Sequence, residues 1–309
     1  MLMNPYMVLG LLAAAILAVA AWQQKKRAAL YEISWGAQIQ KTFTTKSFWL
    51  QLGGLAAFIA FWQLTVKTFD LPWFNRLPGP WECLLEWLSP DPDYGISIYT
   101  EDYYKHIIYS TYRATTAFVM ATLLGVPLGL LMGWSRKFYD YAFPLVELIR
   151  PIPPLAWVPL AILVLPGDEP AVIFVTFLVA FFVTALNTLL GVESINDDYF
   201  RAARCLGASK KQLLFDVVLP GAMPFIFTGL QISMGAAWFS LVAGEMIAAQ
   251  YGLGFLIWDS YSLIQYPVIV IGMVTLGVIG WISSALVRAV GRKLMAWRER
   301  ELFGQSASA

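Results

Sequence analysis

The chain has 309 residues, of which 59% are hydrophobic and only 13% are charged, and its mean hydropathy is +0.63. Soluble domains carry about 25% charged residues, so this composition excludes an ordinary soluble enzyme or binding module. The formal net charge of +1 gives no reason to expect a nucleic-acid partner. The composition therefore predicts an all-α integral membrane protein that resides in a lipid bilayer.

The residue types that catalysis and metal binding need are scarce. Cys83, Cys205 and the single histidine His106 are too few for a metal site of the Cys and His type. The topology derived below puts the two cysteines on opposite sides of the membrane, which excludes a disulfide between them. No Ser-His-Asp, Cys-His or paired-carboxylate set is recognisable. We therefore expect no catalytic residue, no metal and no cofactor, and no enzyme activity.

Residues 1–48 are predicted to form an N-terminal transmembrane helix and a cytoplasmic linker. Residues 3–22 are apolar over about the length that a bilayer requires, and the basic residues 25–27 follow at once. This order predicts an uncleaved helix with its N-terminus outside. Residues 18–20, Ala-Val-Ala, resemble a cleavage site, so a cleaved signal peptide is the alternative.

Residues 49–70 are predicted to form the second span, and residues 71–110 an extracytoplasmic excursion. The excursion contains five prolines and six acidic residues, and Asp70 directly before it is a seventh acid. It is therefore too polar to cross the membrane. His106 is expected to be an interfacial residue. A short interfacial helix is predicted from four apolar residues at helical spacing, which are Trp81, Leu84, Leu85 and Leu88.

Residues 111–290 are predicted to form the membrane core, followed by a basic cytoplasmic tail, 291–309. The predicted spans of the core are residues 111–134, 138–165, 171–191, 221–244 and 267–287. Together with the two spans before the core, they make seven transmembrane helices. Glycines 125, 129 and 133 form a small-residue stripe that favours close helix packing, and the prolines within 151–159 predict a bend. All but four of the 21 Lys and Arg residues fall on the inner side, which places the C-terminus in the cytoplasm.

A polar run, residues 192–220, separates two of these spans. One Arg or Asp at mid-depth costs about 2.5 to 3.5 kcal/mol, so a run with eight charged residues must face water. Apolar residues at helical spacing precede Gly207, which suits the end of a helix, and residues 209–218 form a second helical pattern. We call residues 193–218 the finger, and we predict that it is a helix-turn-helix in the cytoplasm.

The finger resembles the cytoplasmic signature of the importer permeases of the ATP-binding-cassette (ABC) class. That signature reads Glu-Ala-Ala, three residues, Gly, nine residues, Ile, any residue, Leu and Pro. The matching residues, with every spacing kept, are Arg201, Ala202, Ala203, Gly207, Val217, Leu219 and Pro220. Arg201 reverses the charge of the family Glu, and Val217 replaces Ile conservatively. The resemblance implies that these residues couple the membrane domain to an ATPase.

Three further passages, residues 124–129, 150–160 and 241–254, resemble the branch of these permeases that carries nitrate, sulfonate, taurine and bicarbonate. The resemblance covers residues 49–300. It implies a type I ABC importer permease core (MetI-like) in the inner membrane, to which the N-terminal helix is an addition. It also implies three kinds of partner: a second permease copy in a homodimer, cytoplasmic ATP-binding subunits, and an extracytoplasmic binding protein that delivers a small anion. The chain itself has no phosphate-binding loop of the G-x-x-x-x-G-K-[ST] type.

Five residues are candidates for the translocation path: Arg150, Pro151, Pro154, Ser240 and Glu245. Arg150 and the prolines can present charge and helix ends to an anion, or Arg150 can pair with a glutamate three residues earlier. Glu245 is either a pathway carboxylate or a water-exposed cap. Ser240 belongs to a stripe of small residues that serves either packing or the pathway.

The alternative function is an ion-gradient-driven secondary transporter. Such proteins usually show an internal repeat and an ionisable pair inside the membrane, and neither is recognisable in the sequence. A membrane-embedded enzyme or scaffold is a third possibility, but it lacks a catalytic set. The sequence does not name the solute, and it leaves a heterodimer open beside the homodimer.

Overall fold

The computed structural model of the protein describes residues 46–68 and 77–295. The predicted first span and most of the basic tail lie outside these residues. The described helices are α1 (Lys46–Gln63, followed by a π-helical turn, Leu64–Thr68), α2 (Pro80–Leu88), α3 (Glu101–Trp134), α4 (Arg136–Ile149), α5 (Pro154–Val164), α6 (Asp168–Glu193), α7 (Asp197–Cys205), α8 (Lys210–Gln212, followed by a π-helical segment, Leu213–Val218), α9 (Leu219–Ala248), α10 (Leu253–Ser262) and α11 (Tyr266–Leu294).

The chain divides into two compact units. Among the described residues, the first unit contains 46–68, 77–104 and 265–268. The second contains 105–264 and 269–295 and includes the finger and most of the predicted core.

Helix α2, in the first unit, confirms the predicted short helix. Its first residue is Pro80, whose fixed φ suits a helix start. Glu82 then accepts a hydrogen bond from the amide of Gly79 (2.9 Å) and pairs with Lys67 (2.5 Å). The four apolar residues that predicted the helix are exposed, whereas Cys83 is buried on the opposite face. Burial raises the pKa of Cys83 to about 11, so the thiol stays protonated at neutral pH.

Four of the described helices, α3, α6, α11 and the continuous run 210–248 that ends in α9, are long and apolar enough to cross a membrane. Helices α4 and α5 pass the same test as one span broken by a bend of 98°. The apolar run Leu52–Lys67, which comprises most of α1 and of the π-helical turn after it, is shorter than the span of about 20 residues that a bilayer requires. The all-helical membrane architecture is therefore confirmed with four or five candidate spans, and the predicted count of seven is not.

The bend between α4 and α5 is the one that the proline cluster predicted. Helix α4 ends at Ile149 and α5 begins at Pro154, and residues 151 and 153 in the gap are also prolines. Because proline has no amide hydrogen and clashes with the preceding turn, the helical ladder cannot continue through this segment. Pro159, by contrast, lies inside α5, so the break is confined to the start of the proline run.

The second unit is built around α3, α6 and α9, and the glycine stripe of α3 sets their spacing. A Cβ atom added at Gly133 would lie 2.5 Å from Cβ of Val192, and one added at Gly129 would collide with the carbonyl oxygen of Ala185. Gly125 likewise faces α6. The prediction that this stripe serves close packing is confirmed. Since successive residues of α3 meet successive residues of α6 in the same order, the two helices run parallel.

Helix α9 runs antiparallel to α6. Its early residue Ala222 lies against Gly191 near the end of α6, whereas its late residue Gly244 lies against Val172 near the start of α6. The second unit therefore has two ends. At one end lie the finger and the C-terminal ends of α3 and α6. At the other lie the start of α6 and the hairpin formed by α9, residues 249–252 and α10.

Candidate functional sites at the two ends of the core

The first arm of the finger is α7, and its ends are fixed by local hydrogen bonds. The side chain of Asn196 accepts the amide hydrogen of Asp198 (3.0 Å) at the start. At the end, the amides of Gly207 and Ala208 donate to the carbonyls of Arg204 and Ala203, both at 3.0 Å. Gly207 has φ +82°, which glycine adopts without a Cβ penalty. The prediction that Gly207 ends this helix in the left-handed conformation is confirmed.

The second arm begins at Ser209, whose side chain accepts the amide hydrogen of Gln212 (3.3 Å) while the Gln212 side chain accepts that of Ser209 (2.8 Å). This reciprocal pair is a capping box. The arm is not a separate helix ending at residue 218, as the sequence predicted. It continues through the π-helical segment into α9, and its widened turn lies next to Pro220, which lacks the amide that a regular ladder would use.

The surface of the finger combines apolar and cationic side chains. Leu206 is 89% exposed and Tyr199 is 67% exposed. Arg201 is also exposed, and its nearest carboxylate is that of Asp198 at 3.9 Å. Leu213, by contrast, is buried and anchors the second arm to the core. Leu206 therefore lies at the turn between the two arms with most of its side chain unburied within this chain.

The base of the finger borders a hollow of about 990 Å³ that is rich in basic side chains. Lining residues come from the junction of α3 and α4, including Arg136 and Lys137, and from the finger, including Arg201, Arg204 and Lys210. The finger and the Arg136–Lys137 pair therefore lie at the same end of the core. The finger is predicted to be cytoplasmic, and Arg136 and Lys137 are among the basic residues predicted on the inner side.

Two of the five predicted path residues, Arg150 and Pro154, line a cavity of about 440 Å³ at the bend between α4 and α5. Trp157 and Asn187 also line it. Arg150 additionally pairs with Glu147 through Nη1 (3.3 Å), as its sequence spacing allowed. The pair is half exposed, so the guanidinium remains accessible from the cavity. Pro151 belongs to the bend but is not among the residues that line this cavity.

Ser240 and Glu245 do not belong to this cavity. Ser240 is fully buried and donates a hydrogen bond to the carbonyl oxygen of Val175 (3.2 Å), so its position is that of a packing residue. Glu245 has an exposure of 0%. The alternative that Glu245 is a water-exposed cap is therefore wrong, because the chain folds back over it after α9.

Glu245 belongs to a group that we call the ion cluster, which consists of the buried residues Ser110, Arg113 and Glu245 and the half-exposed Glu169. Nη1 of Arg113 lies 2.8 Å from Oε1 of Glu245, and its Nε donates to Glu169 (2.7 Å). A second guanidinium nitrogen donates to the other oxygen of Glu169, which makes this contact bidentate. Ser110 donates to both oxygens of Glu245, at 2.8 and 2.9 Å.

The ion cluster also holds the loop between α9 and α10. Glu245 accepts the amide hydrogen of Gly254 (2.8 Å), and Ser110 accepts that of Leu253 (2.7 Å). Arg113 donates to the carbonyl oxygen of Tyr251 (2.5 Å). A Cβ atom at Gly252 would collide with the Glu245 carboxylate, so the loop reaches its position only because that residue is glycine. His106, which we expected at an interface, is buried beside this loop, with Nδ1 3.0 Å from the Gly252 amide nitrogen.

Sequence reasoning missed the ion cluster as a unit. Glu245 is a candidate path residue in the sequence, but the sequence predicts no partner for it, and no ionisable pair inside the membrane is recognisable there. The pair exists, between residues 132 positions apart. The available signal was the presence of charged residues in apolar segments. It did not reveal which charges meet, because the partners lie on different helices.

Comparisons with known proteins identify relatives of this chain among membrane transport proteins. A family profile described as "Binding-protein-dependent transport system inner membrane component" matches residues 125–296, more than half of the chain. The nitrate import permease protein NrtB of Synechocystis is 39% identical over 181 residues, covering 59% of this chain and 66% of that protein. The taurine transport system permease protein TauC of Escherichia coli is 36% identical over 248 residues, covering 80% and 89%.

A solved structure of the MetNI methionine ABC transporter, in an inward-facing conformation, has a similar fold. The TM-score is 0.52, the sequence identity is 20%, and the match covers 63% of this chain and 94% of the solved chain. The match supports a MetI-like fold for the core.

Proposed function

The chain belongs to the family of binding-protein-dependent transport system inner membrane components, and we propose that it forms the translocation path of an ATP-driven importer for a small anion. As a member of this family, it is the multi-pass, non-catalytic permease of an ABC transporter in the inner membrane, and ATP is hydrolysed on a separate subunit. The family description also implies an extracytoplasmic binding protein as a partner. The finger is the observation that carries the proposal.

The finger suits a coupling role because of how it is built. Its exposed tip, with Leu206 at 89% exposure, can enter a hollow on an ATP-binding subunit. Its second arm is continuous with α9 from Lys210 to Ala248, so a displacement of the tip moves a helix that reaches the other end of the core. Such coupling requires the partner to bind two states of the permease differently. The residues that we assign to coupling are Arg201, Ala202, Ala203, Gly207, Val217, Leu219 and Pro220.

The path is proposed to pass the cavity at the bend between α4 and α5. Its half-exposed guanidinium, that of Arg150, and the amide side chain of Asn187 can hydrogen-bond an anion such as nitrate, a sulfonate, taurine or bicarbonate. Pro151 and Pro154 shape the bend beside it. Ser240 and Glu245 remain candidates only through their effect on helix packing, since both are buried away from this cavity.

We also propose the arrangement of the whole chain in the membrane. Residues 1–48 form a retained helix and linker with the N-terminus outside, 49–70 a second span, 71–110 an extracytoplasmic excursion, and 111–290 the core with the finger, 193–218, in the cytoplasm. The tail, 291–309, is cytoplasmic, which gives seven spans in total. Two copies of the chain pair around the path.

A substitution series at Gly207 tests the coupling proposal. No atom lies within 4 Å of an added Cβ at this position, so any cost comes from the positive φ, about 1–2 kcal/mol for a residue with a Cβ atom. Gly207→Val is expected to abolish ATP-dependent uptake of nitrate or taurine while membrane insertion stays normal. Gly207→Asn is the matched control, because asparagine tolerates this conformation and should retain most uptake. Unimpaired uptake with Gly207→Val contradicts the proposal.

Among residues 46–68 and 77–295, the buried Arg113–Glu245 pair is the feature that a gradient-driven transporter would share. Each of its charges is satisfied by several protein groups, which suits a structural position better than a solute or proton site. The two functions are separated by uptake after energy depletion. Uptake that stops when ATP is removed and persists with an uncoupler supports the ABC importer, and the reverse result supports a secondary transporter.

A further inference from the structure

The two carboxylates that bind Arg113 differ in their access to water. Arg113 has 2% of its side chain exposed and Glu245 has none, whereas Glu169 has 45% exposed. Glu245 is also held by Ser110 and by the amide of Gly254. Glu169 is bound through the Arg113 guanidinium alone among the contacts resolved for it. One guanidinium therefore joins a fully buried acid to a half-exposed acid.

We propose that the ion cluster is a clamp on the end of the core opposite the finger, with the Glu245 link permanent and the Glu169 link releasable. The proposal concerns how this end of the permease opens, and its physical basis does not depend on the solute or on the ATPase.

The asymmetry follows from the cost of leaving a charge unpaired. If the Arg113–Glu245 link broke, two buried charges would lose their partners, which is strongly unfavourable. If Glu169 left, its carboxylate would be solvated by water, and Arg113 would keep Glu245 and the Tyr251 carbonyl. The second event leaves a neutral buried pair. Only the Glu169 link can therefore open and close at low cost.

The short segment that carries Glu169 is not packed against the core, since residues 166–168 and 170 around it are exposed. Glu169 lies in the first turn of α6, and only residues 165–167 connect this helix to α5. Gly167, the last of them, has φ +93° and no neighbour within 4 Å of an added Cβ. From Ala171 onward, by contrast, α6 is packed, because Ala171 and Val172 are buried and Val172 lies against Gly244 of α9. Release of Glu169 therefore lets residues 165–170 and the end of α5 swing away while the rest of α6 stays fixed.

The remaining links hold the rest of this end together. Arg113 and Ser110 on α3 are tied to Glu245 on α9 and to the loop that starts α10. These elements move as one body. The moving element is the tip formed by the end of α5 and the start of α6, and the Glu169–Arg113 contact decides whether this tip is closed.

Double electron–electron resonance (DEER) spectroscopy measures the distance between a label on the tip and a label on the rest of this end. Nitroxide labels are placed at Asp168→Cys on α6 and Tyr112→Cys on α3, both exposed positions, in full-length protein in liposomes with Cys83→Ala and Cys205→Ala. In this background, Glu169→Gln is expected to increase a longer-distance population about fivefold, because a neutral amide replaces a charge-assisted bidentate contact. Glu169→Asp, which shortens the side chain by one methylene, should give a smaller increase.

Glu82→Gln is the matched control, since Glu82 is also a half-exposed acid in an ion pair but lies outside the ion cluster. It should leave the distance distribution unchanged. The proposal is overturned if the distributions of Glu169→Gln and Glu169→Asp both coincide with that of the parent protein. Since neither an ATPase nor a solute is present in this measurement, its failure is distinct from a failure of the proposed transport function.

Discussion

The finger and the ion cluster occupy opposite ends of the same three helices and use charge in opposite ways. In the finger, the charged residues are exposed and lie within one short segment, and Arg201 approaches Asp198 only to 3.9 Å. In the ion cluster, the two central charges, those of Arg113 and Glu245, are buried, and their residues are 132 positions apart. The finger therefore owes little of its stability to its charges, whereas the other end depends on the buried Arg113–Glu245 pair.

The comparison separates two kinds of functional surface. An exposed charge or leucine can change with small effect on folding, because water solvates whatever is left. A buried charge cannot, because its remaining partner stays in an apolar environment. Substitutions in the finger should consequently affect binding of the partner protein, and substitutions of Arg113 or Glu245 should first lower the stability of the fold.

The largest effect is expected from removing one member of the buried pair. Glu245→Ala should destabilise the protein by about 3–5 kcal/mol, because it leaves the Arg113 charge buried without this partner. Denaturant unfolding in detergent, followed by tryptophan fluorescence, measures the change. Glu147→Ala removes a half-exposed acid from a surface pair and should cost less than about 1 kcal/mol. Equal losses of stability in the two variants would contradict the distinction between buried and exposed charges.

Replacing both members of the pair sharpens the same point. Arg113→Met combined with Glu245→Leu should be less destabilising than Glu245→Ala alone, because no buried charge loses its partner. The double variant isolates the cost of the unpaired charge from the cost of lost packing. If the two substitutions simply added, the buried pair would not act as a unit.

A smaller effect is expected in the packing that joins the two ends. Gly129→Ala should cost about 1–3 kcal/mol, since the new methyl group meets the Ala185 backbone and forces α3 and α6 apart. Gly277→Ala on α11 is the matched control, because no atom lies within 4 Å of its added Cβ. Unfolding midpoints of both variants measure the difference, and an equal loss at the two glycines would contradict the proposed close contact.

At the finger, a substitution should leave stability nearly unchanged and alter function. Leu206→Ala removes a side chain that is 89% exposed, so the unfolding free energy should change by less than about 0.5 kcal/mol. ATP-dependent uptake should fall about tenfold, as expected when an apolar anchor is lost from a partner interface. Leu286→Ala, another exposed leucine away from the finger, should leave uptake intact. A large loss of stability with Leu206→Ala would contradict this division of roles.

The smallest effect concerns the surface pair in the first unit. The hydrogen bond from Lys67 lowers the pKa of Glu82 below its ordinary value of 4.5. Ionised Glu82 therefore stabilises the folded state above the unfolded pKa, and this contribution is lost as the pH falls through the lower, folded pKa. Because both side chains are about half exposed, we expect a contribution of about 0.2–1 kcal/mol. The difference in unfolding free energy between wild type and Glu82→Gln should shrink only below pH 4.5; a constant difference down to pH 3 would contradict the pairing.

Much of the fold and one of the two sites could be read from local patterns. The turn at Gly207 depends on residues within a few positions of it, and the bend before Pro154 depends on neighbouring prolines. The glycine stripe of α3 predicted close packing, since small residues at every fourth position lie on one helix face. The sequence did not predict that the second arm of the finger continues into α9, because a π-helical segment has no hydrophobic period of its own.

The amino-acid sequence by itself determined that this protein is a helical membrane protein with a polar, two-armed finger, since hydropathy, helix caps and proline act over a few residues. Only the tertiary structure decided that Arg113, Glu169 and Glu245 meet, that Ser240 is a packing residue, and that Arg150 borders a cavity. The physical reason is the range of the interactions. Caps and turns are local, whereas a buried ion pair exists only when packing brings the charged atoms of side chains on distant helices within about 3 Å of each other and excludes water from the contact.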